Sequence, residues 1–479
     1  MYLFPRTAIF CVEKSRTRLK HLFMLSAALL VLLCATTPAA AQNAQLVSVN
    51  KNGSDSGGVV SFTASGTLSA DGRLVAFTSK AGDLSAHTDG NATYDVFVRD
   101  LKAGVTTLVS VNAAGTAAGN APSGVTGNID FPAICVWLSA NGRFVAFTSA
   151  ATDLVANDTN GKEDVFVRDL ETGTTTLASV NAVGTGGGNG NAIFPYLSAD
   201  GGVLGFRSAA SDIVANDTNN ATDVFVRNLK TGVTTLVSVN SAGTASGNGT
   251  SSFASFSADG RVIAFASNAS NLVANDTNGA VVDIFARDLQ AGTTVLVSAA
   301  TAGAASGNNQ SSVPTVSADG RFVVFNSRAT NLVTLADANG TDDVFVRDLT
   351  AAKTTLVSVD TEGKAAGNRN SHLQSPQAIS ADGNFIAFVS NASNLVGNDT
   401  NGTTSDVFVR DVAASVTKLV TANAAGTGSG NSFSASNEVS ISADGRFVTF
   451  DSSATDLVAG IVGGEVQDVF VRDVQQSQT

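Results

Sequence analysis

The chain has 479 residues, with 28 basic and 40 acidic side chains and a formal charge of −12. An acidic chain without basic clusters is poorly suited to phosphodiester or anionic lipid surfaces, which excludes nucleic acid and charged membrane as natural partners. Three cysteines in such a length cannot form a disulfide framework, so the fold must stand on packing.

The first segment reads as a leader. Arg6, Lys14, Arg16, Arg18 and Lys20 precede an apolar run over Leu22–Leu33, and Ala39-Ala40-Ala41 follows. Small residues before a cleavage point after Ala41 predict a secretory signal over residues 1–41, and a periplasmic or secreted product. The apolar run falls short of the roughly 20 residues that a membrane helix needs. Without the leader's five basic residues and Glu13, 23 basic and 39 acidic side chains remain, a charge of −16. Cys11 and Cys34 would leave with the leader, and Cys135 would stand alone.

From residue 42 onward the chain repeats itself. Asp-Val-Phe-Val-Arg-Asp or a close variant occurs seven times, with its first Asp at 95, 164, 223, 283, 343, 406 and 468. Upstream of each lies Ser-Ala-Asp-Gly or a variant, its turn Asp at 71, 200, 259, 319, 382 and 444, with Asn141 in the remaining copy. A period of about 60 residues, kept except for one insertion before Trp137, makes residues 42–479 one domain.

Each unit reads as four short strands. The Asp-Gly turn demands positive φ and ends the first strand. Phe144–Thr148, Asp164–Arg168 and Thr175–Val180 exemplify the other three, rich in β-branched and aromatic residues. Apolar character on both faces predicts sheets sandwiched between neighbours. The expected fold is all-β: a single seven-bladed β-propeller of four-stranded blades. The seventh unit stops after its third strand, at Val474, whereas an unmatched fourth strand, Leu46–Asn50, opens the domain. Pairing of that strand with Val469–Val474 would close the ring and remove exposed edges.

These units, Ser-Ala-Asp-Gly-Arg-Phe-Val-Ala-Phe-x-Ser followed by Asp-Val-Phe-Val-Arg-Asp-Leu, resemble the TolB-type propeller repeats. That family's usual phrase is Ser-Pro-Asp-Gly-Lys-x-Ile-Ala-Phe, with Pro where this chain has Ala. The resemblance spans all seven units and implies the propeller fold; it assigns no ligand.

Antiparallel blades place every long loop on one face of the ring, where recognition is expected. The strand-three arginines (Arg99, Arg168, Arg227, Arg287, Arg347, Arg410 and Arg472) recur in each unit and are expected to make a repeated contact with a carboxylate between strands. Positions that break the repeat are better candidates for a site. In the Phe-x-Ser ending of the second strand, x is Arg207, Asn326 and Asp451 in three units and Thr, Ala or Val elsewhere. On the first strand, the aromatic residues of one varying series are Trp137 and Tyr196, in neighbouring units, suited to stacking on a sugar or peptide ring. The candidate ligand-binding residues are therefore Trp137, Tyr196, Arg207, Asn326 and Asp451.

The loop before the third strand repeats Asp-x-Asn. Its members, each with the Asp that begins the strand, are Asp158/Asn160/Asp164, Asp217/Asn219/Asp223, Asp276/Asn278/Asp283, Asp337/Asn339/Asp343 and Asp399/Asn401/Asp406. Clustered Asp and Asn oxygens on a tight loop suit a hard cation such as calcium, the one cofactor the sequence suggests. Asx-turns explain the same residues without a metal. Catalytic signatures are missing: only His87 and His372 follow the leader, in different units, and no nucleophile elbow or zinc motif occurs.

The sequence thus predicts an exported, monomeric propeller that binds a protein, peptide or glycan on its long-loop face. A polysaccharide lyase or hydrolase and a calcium-stabilised cell-surface structural protein are the alternatives.

Overall fold

The computed structural model describes residues 46–475 except 57–58, 60, 63–65, 128–132, 302, 304, 376, 436–438 and 459–467. The predicted leader, residues 1–41, lies outside the described residues. Every regular element described is a β-strand, and no helix is long and apolar enough to cross a membrane.

The strands form seven antiparallel blades around one ring, a seven-bladed β-propeller. Blade 1 runs from Ser61 to Leu108, blade 2 from Val136 to Leu177, blade 3 from Ala192 to Leu236 and blade 4 from Ser251 to Leu296. Blades 5, 6 and 7 span Ser311–Leu356, Ser371–Leu419 and Ser440–Asp473. Within each blade the strands pair in chain order.

The hydrophobic pattern explains the stacking. Second and third strands are buried along most of their length, whereas fourth strands such as Val105–Leu108 alternate between exposed and covered positions, as outer edges do. Val96, Val98 and Val109 of blade 1 pack on Val145, Phe147, Leu154 and Phe166 of blade 2, and equivalent clusters join each successive pair up to blades 6 and 7. Inside each blade the two strand phenylalanines stack, as Phe206 on Phe225 with ring centroids 5.7 Å apart.

Polar residues of the repeat knit the turns. In blade 3, Ser198 Oγ donates to Asp200 Oδ1 (2.7 Å) and accepts from the Val203 amide (2.9 Å). The Ala of the same turn links blades, since the Ala199 amide donates to Ala258 O and the Ala258 amide to Ala318 O. The strand-three arginines do not take the carboxylate partner expected of them. Arg99, Arg168, Arg227, Arg287, Arg347 and Arg410 donate through Nη1 to a fourth-strand threonine hydroxyl at 2.8–3.0 Å. The neighbouring carboxylate is taken instead by the arginine that follows the Asp-Gly turn, as Arg143 with Asp169 and Arg321 with Asp348. Arg143 grips Asp169 as a fork, Nε on Oδ1 and Nη2 on Oδ2, whereas Arg321 donates through Nε and Nη2 to the one oxygen Oδ2 of Asp348.

At the closing segment, the residues in register with the other blades' fourth strands are 43–46, of which 43–45 lie outside the described residues. No pairing joins residues 46–50 to Asp468–Asp473 among the described residues, and the seventh blade has three strands there. The segment is anchored on blade 1. Val47 is buried with Val75, Phe77 and Phe97, the Val49–Ser56 bridge forms a hairpin, and the Lys51 amide donates to Asp83 O at 2.7 Å. The crossover after every complete blade makes the same hairpin and the same bond to the next blade, as at Ala113–Asp153 and Ala182–Asp212. Residues 46–56 therefore sit where blade 7's crossover belongs on blade 1, held by contacts to blade 1 that do not require blade 7. Val469 is accordingly 50% exposed, whereas its counterparts Val96, Val165, Val224, Ile284, Val344 and Val407 are fully buried.

Candidate functional site

The repeat-breaking residues fall into two groups. Asn326 and Asp451 are buried in blades 5 and 7, away from the others. Asn326 Oδ1 accepts from the Leu373 amide at 2.8 Å, tying blade 5 to blade 6, and the Asp451 carbonyl accepts from the Ala435 amide. Trp137, Tyr196 and Arg207 are brought together in blades 2 and 3.

Trp137 and Tyr196 lie on the first strands of adjacent blades and meet edge to face, with centroids 5.2 Å apart. Tyr196 continues to Phe256 of blade 4 at 6.4 Å, so three rings follow one another across three blades. Trp137 is half-buried, and its indole lies against Gly66 of blade 1, where a Cβ would come within 2.6 Å of the ring. Burial pushes the Tyr196 hydroxyl up to about 12.

Arg207 ends the second strand of blade 3. Its guanidinium lies 4.2 Å from the centroid of Phe194, a cation–π contact. Phe194 is held at φ +55° in a bulge of the first strand between Ile193 and Tyr196, and Val313 takes the same conformation in blade 5, so the bulge is part of the repeat. Burial lowers the Arg207 pKa, while Tyr196 and Cys135 counter that effect. Cys135 is itself buried and pushed up to about 12, chiefly by desolvation. The Ala192 amide donates to Glu163 O at 2.8 Å and the next residue, Ile193, pairs with Arg207, so the backbone brings Glu163 and Arg207 to neighbouring places.

Glu163, Thr126 and Asn191 complete the cluster. The insertion before Trp137 forms a small hairpin, Val125–Thr126 with Ala133–Ile134. It brings Thr126 Oγ1 to 2.9 Å from Glu163 Oε1, while Asn191 Nδ2 donates to Oε2 at 3.2 Å. Sequence reading passed over Glu163. The signal was available: the residue before each strand-three Asp varies as Tyr94, Glu163, Thr222, Val282, Asp342, Ser405 and Gln467. His372 is half-buried beside Asn370 in blade 6, its pKa lowered by burial, and lies outside this cluster.

The Asp-x-Asn loops sit on the same face, and the structure separates their members. Asn160 Nδ2 donates to Gly188 O at 2.8 Å and to Asp164 Oδ2 at 2.6 Å, clamping the loop to the following crossover. Asn219, Asn278, Asn339 and Asn401 make the same clamp on the crossover carbonyl. Gly161 follows at φ +64°, and Asn220 adopts the same region at the equivalent place. The strand-three Asp is buried and accepts from a hydroxyl two residues past the fourth strand, as Asp164 from Ser179 and Asp406 from Thr421. Desolvation raises Asp164 and Asp283 to about 6, and Asp223, Asp343 and Asp406 to about 7. Burial likewise raises the loop carboxylates Asp158, Asp217, Asp276, Asp337 and Asp399.

Fold and site together define a β-propeller whose blades 2 and 3 depart from the repeat. No family profile matches this chain, and no curated protein does. Solved propellers resemble it at low identity. The chain is similar to TolB from Acinetobacter baumannii at 15% identity, over 76% of this chain and 74% of that one, with a TM-score of 0.34. It is similar to a putative TolB from Agrobacterium tumefaciens at 15% identity, over 62% of this chain and 80% of that one, with a TM-score of 0.34. An oligogalacturonate lyase from Vibrio parahaemolyticus aligns at 10% identity over 90% of this chain and 96% of its own, with a TM-score of 0.45.

Proposed function

We propose that the protein is an exported binding scaffold that takes an extended peptide or glycan chain at the mouth of blades 2 and 3. The observation that supports it is the convergence of repeat-breaking residues in two adjacent blades: Trp137, Tyr196, Phe194, Arg207 and Glu163. A ring of equivalent blades has no structural need for a carboxylate, a guanidinium and a row of aromatic faces in one sector. Aromatic faces accept sugar or side-chain rings, while Glu163 and Arg207 offer an acceptor and a donor fork to polar groups along such a chain. Export rests on the leader over residues 1–41, and a single mature domain over residues 42–479 on the unbroken repeat.

Trp137 is the sole tryptophan, so its emission reports on this site alone. Titration of defined oligosaccharides and short peptides should shift that emission, and Arg207→Ala or Glu163→Gln should weaken the response without altering the far-UV spectrum. A ligand that binds the whole protein yet leaves both emission and variant affinities unchanged places recognition elsewhere.

A further inference from the structure

A second set of groups is left unexplained by the binding cluster. It consists of buried acceptor atoms with no donor. In blade 2, Asp158 is 4% exposed and neither carboxylate oxygen has a hydrogen bond, but both oxygens of its strand partner Asp164 are taken, by Ser179 and Asn160. In blade 3, Asp217 is 6% exposed with neither oxygen bonded, and Asp223 Oδ2 joins them. In blade 4 four such atoms occur together in one loop and strand start: both oxygens of Asp276, Oδ1 of Asn278 and Oδ2 of Asp283. Asp276 is 9% exposed and Asp283 fully buried.

The Asx-turn explanation accounts for the asparagines but not for these carboxylates. In blades 2 and 3 the Asn oxygen is occupied, accepting at 2.8 Å from the amides of Lys162 and Ala221. Blade 4 has one more residue between Asn278 and its strand Asp, and there the Asn oxygen is left over. In blade 6 the crossover Ser429 Oγ accepts from the Thr400 amide and still donates to the loop carboxylate, Asp399 Oδ1, at 2.9 Å; the equivalent Ser246 and Ser306 accept from the Thr218 and Thr277 amides but lie outside bonding geometry with Asp217 and Asp276. The two carboxylates stand on either side of one clamped asparagine, Asn219 in blade 3 and Asn278 in blade 4, two residues before it and four or five after it. A buried acceptor-only group is costly unless a donor or a cation faces it. A water supplies two donors, whereas a hard cation satisfies all the oxygens and cancels the like-charge repulsion.

We propose that the loop–strand Asp pairs of blades 3 and 4 (Asp217/Asp223 and Asp276/Asp283) each bind one calcium ion. Blade 4 supplies the fullest set of oxygens, with Asn278 as an additional ligand. The unpartnered donors are oxygens alone, which suits a hard cation and not a transition metal. With two carboxylates per site the affinity belongs at the weak end for calcium, a Kd of about 10⁻⁴–10⁻³ M. Bound there, the ion would fasten the loop to the strand start and stiffen the long-loop face.

The test uses the full mature chain, stripped with chelator and dialysed. Equilibrium dialysis against millimolar calcium should show at least two ions per chain, and calcium should raise the thermal midpoint relative to chelator. Asp276→Asn should lower the stoichiometry by one. In chelator the same variant should unfold no earlier than wild type, because it removes a like-charge contact; this separates a lost ligand from a damaged fold. Failure to take up calcium at millimolar concentration, uptake of magnesium without calcium, or an unchanged stoichiometry in both Asp276→Asn and Asp217→Asn overturns the proposal.

Discussion

The contrast between Val469 and its six counterparts gives a quantitative test of how the ring is joined. Val407 starts the third strand of blade 6 fully buried, packed with Val448 and Phe450 of blade 7. Val469 occupies the same place in blade 7 and is 50% exposed. Replacing Val407 by Ala removes two buried carbon groups at about 0.8 kcal/mol each and leaves a small cavity, a cost of roughly 1.5–3 kcal/mol. At Val469 about half the transfer term is absent and the space is open to solvent, so the cost should stay below about 1 kcal/mol. Urea denaturation followed by far-UV circular dichroism measures both, with the midpoint read at constant slope. Equal destabilisation by Val407→Ala and Val469→Ala would refute the reasoning, because Val469 would then be packed as tightly as its counterparts.

Other outcomes follow from single contacts. Ser238 Oγ donates to Asp223 Oδ1 at 2.5 Å and accepts from the Val224 amide at 3.1 Å, all fully buried, so Ser238→Ala should cost about 2–4 kcal/mol by stranding both partners, measured by the same denaturation. Cys135 is buried with its thiol pushed up to about 12, so iodoacetamide should not label the native protein at neutral pH and should label it on unfolding; rapid native labelling would contradict its burial. The Arg261 contact holds Asp288 at about 2, below the ordinary 3.8. A depressed folded pKa contributes stability that is present above the unfolded value and lost as pH falls through the folded one. Arg261→Ala should therefore lower the thermal midpoint slightly near neutral pH and not at all at pH below about 2, the small size reflecting solvent screening.

Architecture was legible because the repeat is written in residues whose demands are local. Asp-Gly at a turn, phenylalanines at fixed places in two adjoining strands and a Ser facing a strand-three Asp each specify geometry within one blade. Seven copies then leave little freedom except for closure, which depends on contacts between the two ends of the chain. Residues 46–56 repeat the crossover pattern faithfully, and that pattern encodes docking on the following blade as much as pairing within the preceding one. Partner choice was less legible than position. The strand-three arginines stand beside carboxylates in sequence, yet adjacent residues on a strand point to opposite faces, so six of the seven guanidinium groups meet a threonine on the neighbouring strand and Arg472 meets the Ala422 carbonyl.

The candidate site was visible in part for the same reason. Trp137, Tyr196 and Arg207 stand out against seven near-identical copies, and the ring places their blades side by side. Asn326 and Asp451 stand out equally, but variation alone does not distinguish an inter-blade tie from a recognition residue. Glu163 escaped notice because its position tolerates many residues, and only the inserted hairpin with Thr126 turns it toward the cluster. The Asp-x-Asn loops mix two roles in one motif: the asparagines clamp, and the orphaned carboxylates remain.

The emission of Trp137 reports recognition at blades 2 and 3 without interference, since no other tryptophan contributes. Titration with a panel of oligosaccharides and peptides should reveal at least one that shifts the spectrum saturably, with a response weakened by Arg207→Ala. A saturating ligand found by calorimetry that leaves this fluorescence untouched contradicts recognition at blades 2 and 3.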